Sequence, residues 1–373
     1  MTVNQEKKRE GWVDIAKGIA ITAVVFGHMT ITGLNHDLFP VQTLFAVLWH
    51  VSVFFLIGGF FIKEEKLVGP FGFIKGKVKS LYLLILYIYI PVLLLHNFFL
   101  NIGFYDVSIE YYGKYVTYWG IKDLLINTIQ AVCFAGREPL LGAMWFVYVL
   151  FMALCIFSVL SWGTKKVTSE EKHYEALRFG VIFLLAVISS TMTEVLHVNI
   201  PRCNNVFTAV LLIYVGMKAY QKYHLRFDNV FIALLCAIIV WHIGTTKGYV
   251  SLVENKMPNV VSMLASSSAA LYVVCFFSRK LDTVKWGGVF CAIGKESFYI
   301  MGLHFIGFKI CTIILNVFGM DMNLAQLTAP IGDKYFLILP YLVCGVVVPI
   351  VVICLFRFAK NKLIRVIEVI KNR

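Results

Sequence analysis

The chain has 373 residues, 59% of them hydrophobic and 15% charged, with a formal net charge of +13 and a mean hydropathy of +0.79. Soluble domains average about 45–50% apolar and about 25% charged, so an ordinary soluble globular domain is excluded. Apolar stretches of about 17 to 22 residues, the length that crosses a bilayer, recur throughout and make this a polytopic membrane protein.

The first stretch, "MTVNQEKKREGWVDIAKG", starts basic like a signal peptide. Its apolar run is long and no small-residue cleavage site stands out, so it reads as a retained first span over residues 11–33. Nine more follow over 41–62, 80–102, 143–162, 179–198, 206–221, 229–246, 258–278, 288–318 and 335–357. An even number puts both ends on one side, and 25 of the 34 lysines and arginines then fall on that side against 7 on the other. Lys295 and Lys309 lie inside the ninth apolar region. The positive-inside rule makes the rich side cytoplasmic and accounts for much of the net charge without a nucleic-acid partner. The expected fold is therefore an all-α bundle of about ten transmembrane helices with both termini in the cytoplasm. Residues 1–357 form a single transmembrane domain, and 358–373, "FAKNKLIRVIEVIKNR", a basic amphipathic tail on the inner leaflet.

The longest outer segment, "YDVSIEYYGKYVTYWGIKDLLINTIQAVCFAGREPLLGA", is rich in Tyr and Trp, either an interfacial belt or a sugar-stacking surface. Nine cysteines are scattered singly with no metal-ligand spacing, and read as small apolar packing residues. Cys133 and Cys203 both fall outside, which permits a bridge without supporting one.

Chemistry concentrates in the first span, "DIAKGIAITAVVFGH". Eleven residues of helix advance three turns plus about 20°, so Lys17 and His28 share a face roughly 16 Å apart, with Asp14 one turn before Lys17. Ionisable groups at such depth are costly and face a bundle interior or a cavity. Lys17 also has the option of reaching back to the inner interface with Asp14 as its partner, and His28 that of a plain helix-to-helix hydrogen bond. Desolvation would keep His28 neutral, the state a general base needs.

"REGWVDIAKGIAITAVVFGH" resembles the opening of the acyltransferase-3 superfamily of integral membrane O-acyltransferases, in particular its fucose 4-O-acetylase-like branch. The family's Asp, basic residue and His fall on Asp14, Lys17 and His28. "WHVSVFFLIGGFFIKEE" resembles its second helix at His50, Phe54, Phe55, Gly58 and Gly59. "FIKGKVKSLYLLILYIYIP" resembles the basic segment before helix three at Lys75, Lys77, Lys79 and Pro91, with lysines where many relatives carry arginine. "GAMWFVYVLF" matches a Trp-Phe signature at Trp145 and Phe146, and "IGKESFYIMGLHF" a late Ser-Tyr-His helix at Ser297, Tyr299 and His304.

The resemblance implies transfer of an acetyl or other short acyl group from acyl-CoA to a hydroxyl of a cell-surface or lipid-linked saccharide. Acetyl-CoA would be a co-substrate, with no permanently bound cofactor and no metal. His28 would act as general base, Lys17 would hold the donor or meet developing negative charge, and Asp14 would orient Lys17. An acetyl-histidine relay uses the same residues. Lys75, Lys77 and Lys79 would bind donor phosphates, although lysines there also satisfy topology. His50, Trp145, Glu194 and His304 are candidates for the acceptor side. The location implied is a bacterial cytoplasmic or inner membrane. A proton-coupled transporter or flippase for a sugar or amino acid is the alternative that intramembrane His, Lys and Asp allow.

Overall fold

The computed structural model describes residues 10–34, 40–111, 113–168, 170–198, 200, 203–246 and 250–371, with side chains to 362 except those of 46 and 47. In chain order the elements are α1 (Gly11–Gly27), β1 (Met29–Ile31), α2 (His50–Phe60), α3 (Glu64–Leu67), α4 (Pro70–Lys77), α5 (Leu83–Leu94) and α6 (His96–Asn101). There follow β2 (Glu110–Tyr111), β3 (Lys114–Tyr115), α7 (Ile121–Val132), α8 (Trp145–Val167), α9 (Glu171–Glu194), α10 (Asn204–Met217) and α11 (Val230–Thr246). The last are α12 (Val260–Leu281), α13 (Gly287–Lys295), α14 (Ser297–Val317), β4 (Ala329–Gly332) and α15 (Ile338–Lys371).

The chain is an all-α polytopic membrane protein: among the described residues seven helical stretches are long and apolar enough to cross a bilayer. They are Thr43–Phe60, Pro70–Leu94, Pro139–Val167, Glu171–Glu194, Val260–Leu281, Ser297–Val317 and Tyr335–Lys362, each overlapping an expected span, the second displaced by about ten residues toward the N-terminus. Three expected spans differ in detail. α1 stops at Gly27 and hands over to β1, so helix does not extend to residue 33. The span over 206–221 is α10 plus a wide π-helical turn at Lys218–Lys222. The span over 288–318 is broken at Glu296 into α13 and α14. The tail is helical to Lys371, while its side chains from Leu363 on lie outside the described residues. All nine cysteines, Cys133 and Cys203 included, are free thiols.

Two compact units share the chain: one of Met1–Val24, His36–Ile74 and Met152–Ser297, the other of Val25–Asn35, Lys75–Phe151 and Phe298–Arg373. In the first, α1 lies so close to α13 that two glycines are obligatory. A Cβ on Gly294 would overlap the Asp14 carbonyl, and one on Gly18 the Phe290 carbonyl. Lipid gives helices no hydrophobic reason to associate, so close backbone approach through small residues supplies the attraction. Gly294→Ala is expected to lower apparent thermal stability by about 1–3 kcal/mol through overpacking. Gly288→Ala, on the same helix with no heavy atom near its Cβ, should leave it unchanged. Thermal unfolding of the solubilised protein compares the two, and equal midpoints would refute the close approach.

Polar clusters hold the rest of this unit. Arg178, fully buried on α9, donates to Glu64 and Glu175, and Lys218 also pairs with Glu175. A buried guanidinium is tolerable only with such partners. Near the other end of α9, Asn255 donates to Ser189 and accepts from Thr208, and Asn204 donates to Thr193.

In the second unit, β1 and β4 pair in parallel, Met29 opposite Ala329, although about three hundred residues separate them in sequence. The Ala329 N–H donates to the His28 carbonyl at 3.1 Å, so the chain leaving α1 is caught as soon as the helix ends. A bond between the Thr30 and Thr328 hydroxyls at 2.8 Å reinforces the pairing.

Candidate functional site

In the first unit, Asp14 is 1% exposed, and the Lys17 ammonium lies 3.7 Å from its carboxylate while the Lys17 side chain stays 30% exposed. Both line an open cavity of about 800 Å³ with Lys63, Phe61, Tyr220 and His224. Backbone order there comes from Gln221, whose amide donates to the Phe60 and Ile62 carbonyls at 2.7 and 2.8 Å. These are carbonyls that the end of α2 leaves without helical partners. Tyr220 donates to Glu10 and lies edge-on to Phe61 at 5.4 Å between ring centroids. The lining therefore combines the ammonium groups of Lys17 and Lys63, the carboxylates of Asp14 and Glu10, and the rings of Phe60, Phe61 and Tyr220, charged and flat surfaces together.

In the second unit, His28 sits one residue beyond the helix end, half-buried, its ring 4.9 Å from that of His304 and 5.0 Å from that of Phe305. His304 is fully buried on α14, and its Nδ1 is 2.9 Å from the Ile300 carbonyl. A carbonyl only accepts, so Nδ1 carries the proton and Nε2 keeps its lone pair in the neutral ring. That Nε2 is buried without a hydrogen-bond partner. Five residues along α14, Lys309 is 1% exposed and donates to the carbonyls of Leu324 and Gln326 at 2.6 and 2.8 Å. Gln326 in turn donates to the Thr30 and Thr328 hydroxyls. Lys309 thus ties α14 to the loop that leads into β4, and β4 holds the backbone of His28.

The other expected residues fall elsewhere. Lys75 and Lys79 are exposed and Lys77 half-buried on the helical run from α4, in the second unit, while the cations of the large cavity are Lys17 and Lys63. His50 opens α2 half-buried. Trp145 opens α8 at 9% exposure, its ring 6.3 Å from Phe146. Glu194 ends α9 and accepts from the Met257 N–H at 2.8 Å, a backbone-capping contact. None of these three lines the large cavity.

Two residues that the sequence reading passed over form the most elaborate polar cluster of the second unit. Glu138, 1% exposed, faces His96, 2% exposed, at 2.7 Å between Oε2 and Nδ1. Its other oxygen accepts from the Tyr105 hydroxyl. Burial, and after it the Glu138 carboxylate, push the Tyr105 hydroxyl above its ordinary range, so it remains a donor. His96 inside the third expected span was the available signal, as an ionisable group at membrane depth.

With this geometry in place, the comparison with known families is decisive: the acyltransferase domain family matches residues 10–358. The chain belongs to the acyltransferase-3 superfamily. It is accordingly a membrane enzyme that transfers acyl groups, which favours the enzyme over the transporter reading. No curated protein and no solved structure gives a significant match. Within the acyltransferase, Asp14, Lys17, His28 and His304 all lie inside the matched range, as do His96 and Glu138.

Proposed function

We propose that this acyltransferase moves a short acyl group, acetyl in the first instance, from acyl-CoA to a hydroxyl of a cell-surface or lipid-linked saccharide, with His28 as general base. The observation that carries the reading is the imidazole pair. His28 emerges half-buried from the end of α1 beside a second imidazole whose Nε2 is held as an acceptor. In the reaction the acceptor O–H gives its proton to His28 while its oxygen attacks the thioester carbon. The tetrahedral intermediate collapses, the C–S bond breaks, and the CoA sulfur leaves with that proton. The products are an O-acyl ester and free CoA. His304 presents the Nε2 lone pair of a neutral imidazole toward the imidazolium that forms transiently on His28, an orienting role like that of the third group in a catalytic triad.

For the donor, the first unit's cavity has suitable chemistry. Lys17 and Lys63 meet the phosphates, and Phe61 and Tyr220 offer faces for the adenine. Asp14 keeps Lys17 from leaving the cavity wall. Lys75, Lys77 and Lys79, on the helical run from α4, are further ammonium groups for the donor phosphates.

Purified protein in lipid nanodiscs, given acetyl-CoA labelled in its acetyl group and a panel of saccharides, tests this. Label should appear in alkali-labile ester on a saccharide with stoichiometric release of CoA. Label found only on amines or lipid, or CoA release indifferent to every saccharide offered, would overturn the reading.

A further inference from the structure

The outer aromatic segment builds a second pocket, whose lining includes neither the imidazole pair nor the cations proposed for the donor. It begins at α6, where consecutive residues grip the chain before α7. Asn97 donates to the Trp119 carbonyl at 2.8 Å and accepts from the Trp119 N–H at 2.9 Å, fixing that peptide at both ends. His96 stacks on the Trp119 indole with ring centroids 3.5 Å apart and planes within 6°. Its Nε2 is 3.1 Å from the Thr117 carbonyl and its Nδ1 faces Glu138. A carbonyl and a carboxylate both accept, so Nε2–H donates to Thr117 and one proton is shared between Nδ1 and Glu138 Oε2. The pair is neutral overall and locked in place. Trp119 is consequently a rigid platform, backed by His96 on one face.

Over this platform lies a cavity of about 220 Å³, room for one sugar ring, lined also by Lys114, Tyr115, Asn127 and Arg137. Among the described residues neither Lys114 nor Arg137 has a carboxylate partner. The one acid in the lining, Asp123, spends an oxygen on the Gly120 N–H at 3.1 Å. An aromatic floor, amide side chains and two uncompensated cations are the chemistry that holds a carboxylated sugar.

A further cavity of about 380 Å³ adjoins it and shares the lining residues Tyr111, Val116 and Pro139. Its far wall is Asn323, Gln326 and Thr328, the loop that Lys309 ties down and that precedes the strand holding His28. Its acid, Asp106, is half-buried and accepts from the N–H and hydroxyl of Ser108, which keeps the carboxyl below its usual range. Asp106 therefore repels an acidic sugar and admits a neutral one.

We propose that the acceptor is an acidic oligosaccharide: its uronic-acid unit occupies the Trp119 pocket, and a neutral neighbouring sugar fills the cavity beside the β4 loop. This rests on the reading of the acceptor as a saccharide.

The test is isothermal titration of the full-length protein in neutral-lipid nanodiscs with cellobiouronic acid, cellobiose and inorganic phosphate. The acidic disaccharide should bind at least tenfold more tightly than cellobiose, with phosphate the weakest. Arg137→Gln with Lys114→Gln, exchanges at exposed or half-buried positions that remove no packing, should erase that preference with an unchanged melting curve. Trp119→Ala should weaken both disaccharides. Equal affinity for the two disaccharides, a preference that survives the double exchange, or phosphate binding as tightly as the acidic disaccharide, an anion site only, would each overturn the proposal. Acyl transfer is read separately. Transfer to saccharides with no acidic preference defeats the pocket and spares the enzyme reading, and acidic binding without transfer to any saccharide does the reverse.

Discussion

Replacing His28 with alanine is expected to reduce acyl transfer by about 10²–10⁴-fold, the usual contribution of a positioned general base. The backbone at residue 28 is held by the Ala329 N–H, and the side chain is only half-buried, so truncation leaves the β1–β4 pairing and the end of α1 in place. The melting temperature should therefore stay near that of the native chain while initial rates of CoA release collapse. His304→Gln is the informative companion. It keeps a group of similar reach but removes the acceptor nitrogen that the Ile300 bond enforces, so its loss should be smaller and fall on kcat rather than on KM. A His28→Ala protein that transfers acyl groups at the native rate would remove the base from the mechanism.

The largest effect on stability is expected at Glu138. Its carboxylate satisfies the His96 Nδ1 and the Tyr105 hydroxyl, and its own N–H donates to the Tyr89 hydroxyl at 3.0 Å. Glu138→Ala leaves a buried imidazole and a buried phenol without their partner, a cost of about 3–5 kcal/mol when one member of a buried pair is removed. Glu138→Gln should cost far less, because its NH₂ donates to a neutral Nδ1, its oxygen still accepts from Tyr105, and the Nε2–H to Thr117 is untouched. Glu138→Leu combined with His96→Phe should recover much of the alanine loss by exchanging the pair for apolar packing. Thermal unfolding of the four proteins in one detergent measures the order. An alanine variant as stable as the native chain would show that the cluster contributes nothing to the fold.

These two sites differ in how visible they are in the sequence. Asp14, Lys17 and His28 stand out because charge and imidazole interrupt an apolar run, and their spacing converts directly into a helix face. What the spacing could not give was the end of that helix. "MTIT" after His28 is apolar enough to continue a span, yet its β-branched residues suit a strand, and β4 is the partner that tips it that way. The break at Glu296 was hidden for a similar reason, since the apolar pattern runs on through α13 and α14 with a single charged pair between them. The meeting of His28 with His304 is tertiary information that no local pattern encodes. Glu138 was overlooked because an acid before proline in a loop looks solvated. Only its distant partners, from α5, α6 and the segment after α6, reveal it as buried.

The parallel pairing of β1 with β4 also sets a timetable for biogenesis. The strand that secures His28 is made only after α14. A growing chain is generally able to fold its early segments first, but here His28, the proposed base, waits for a segment about three hundred residues later. His28 is therefore secured only once β4 has been made, and chains cut short before β4 would insert in the membrane without becoming competent.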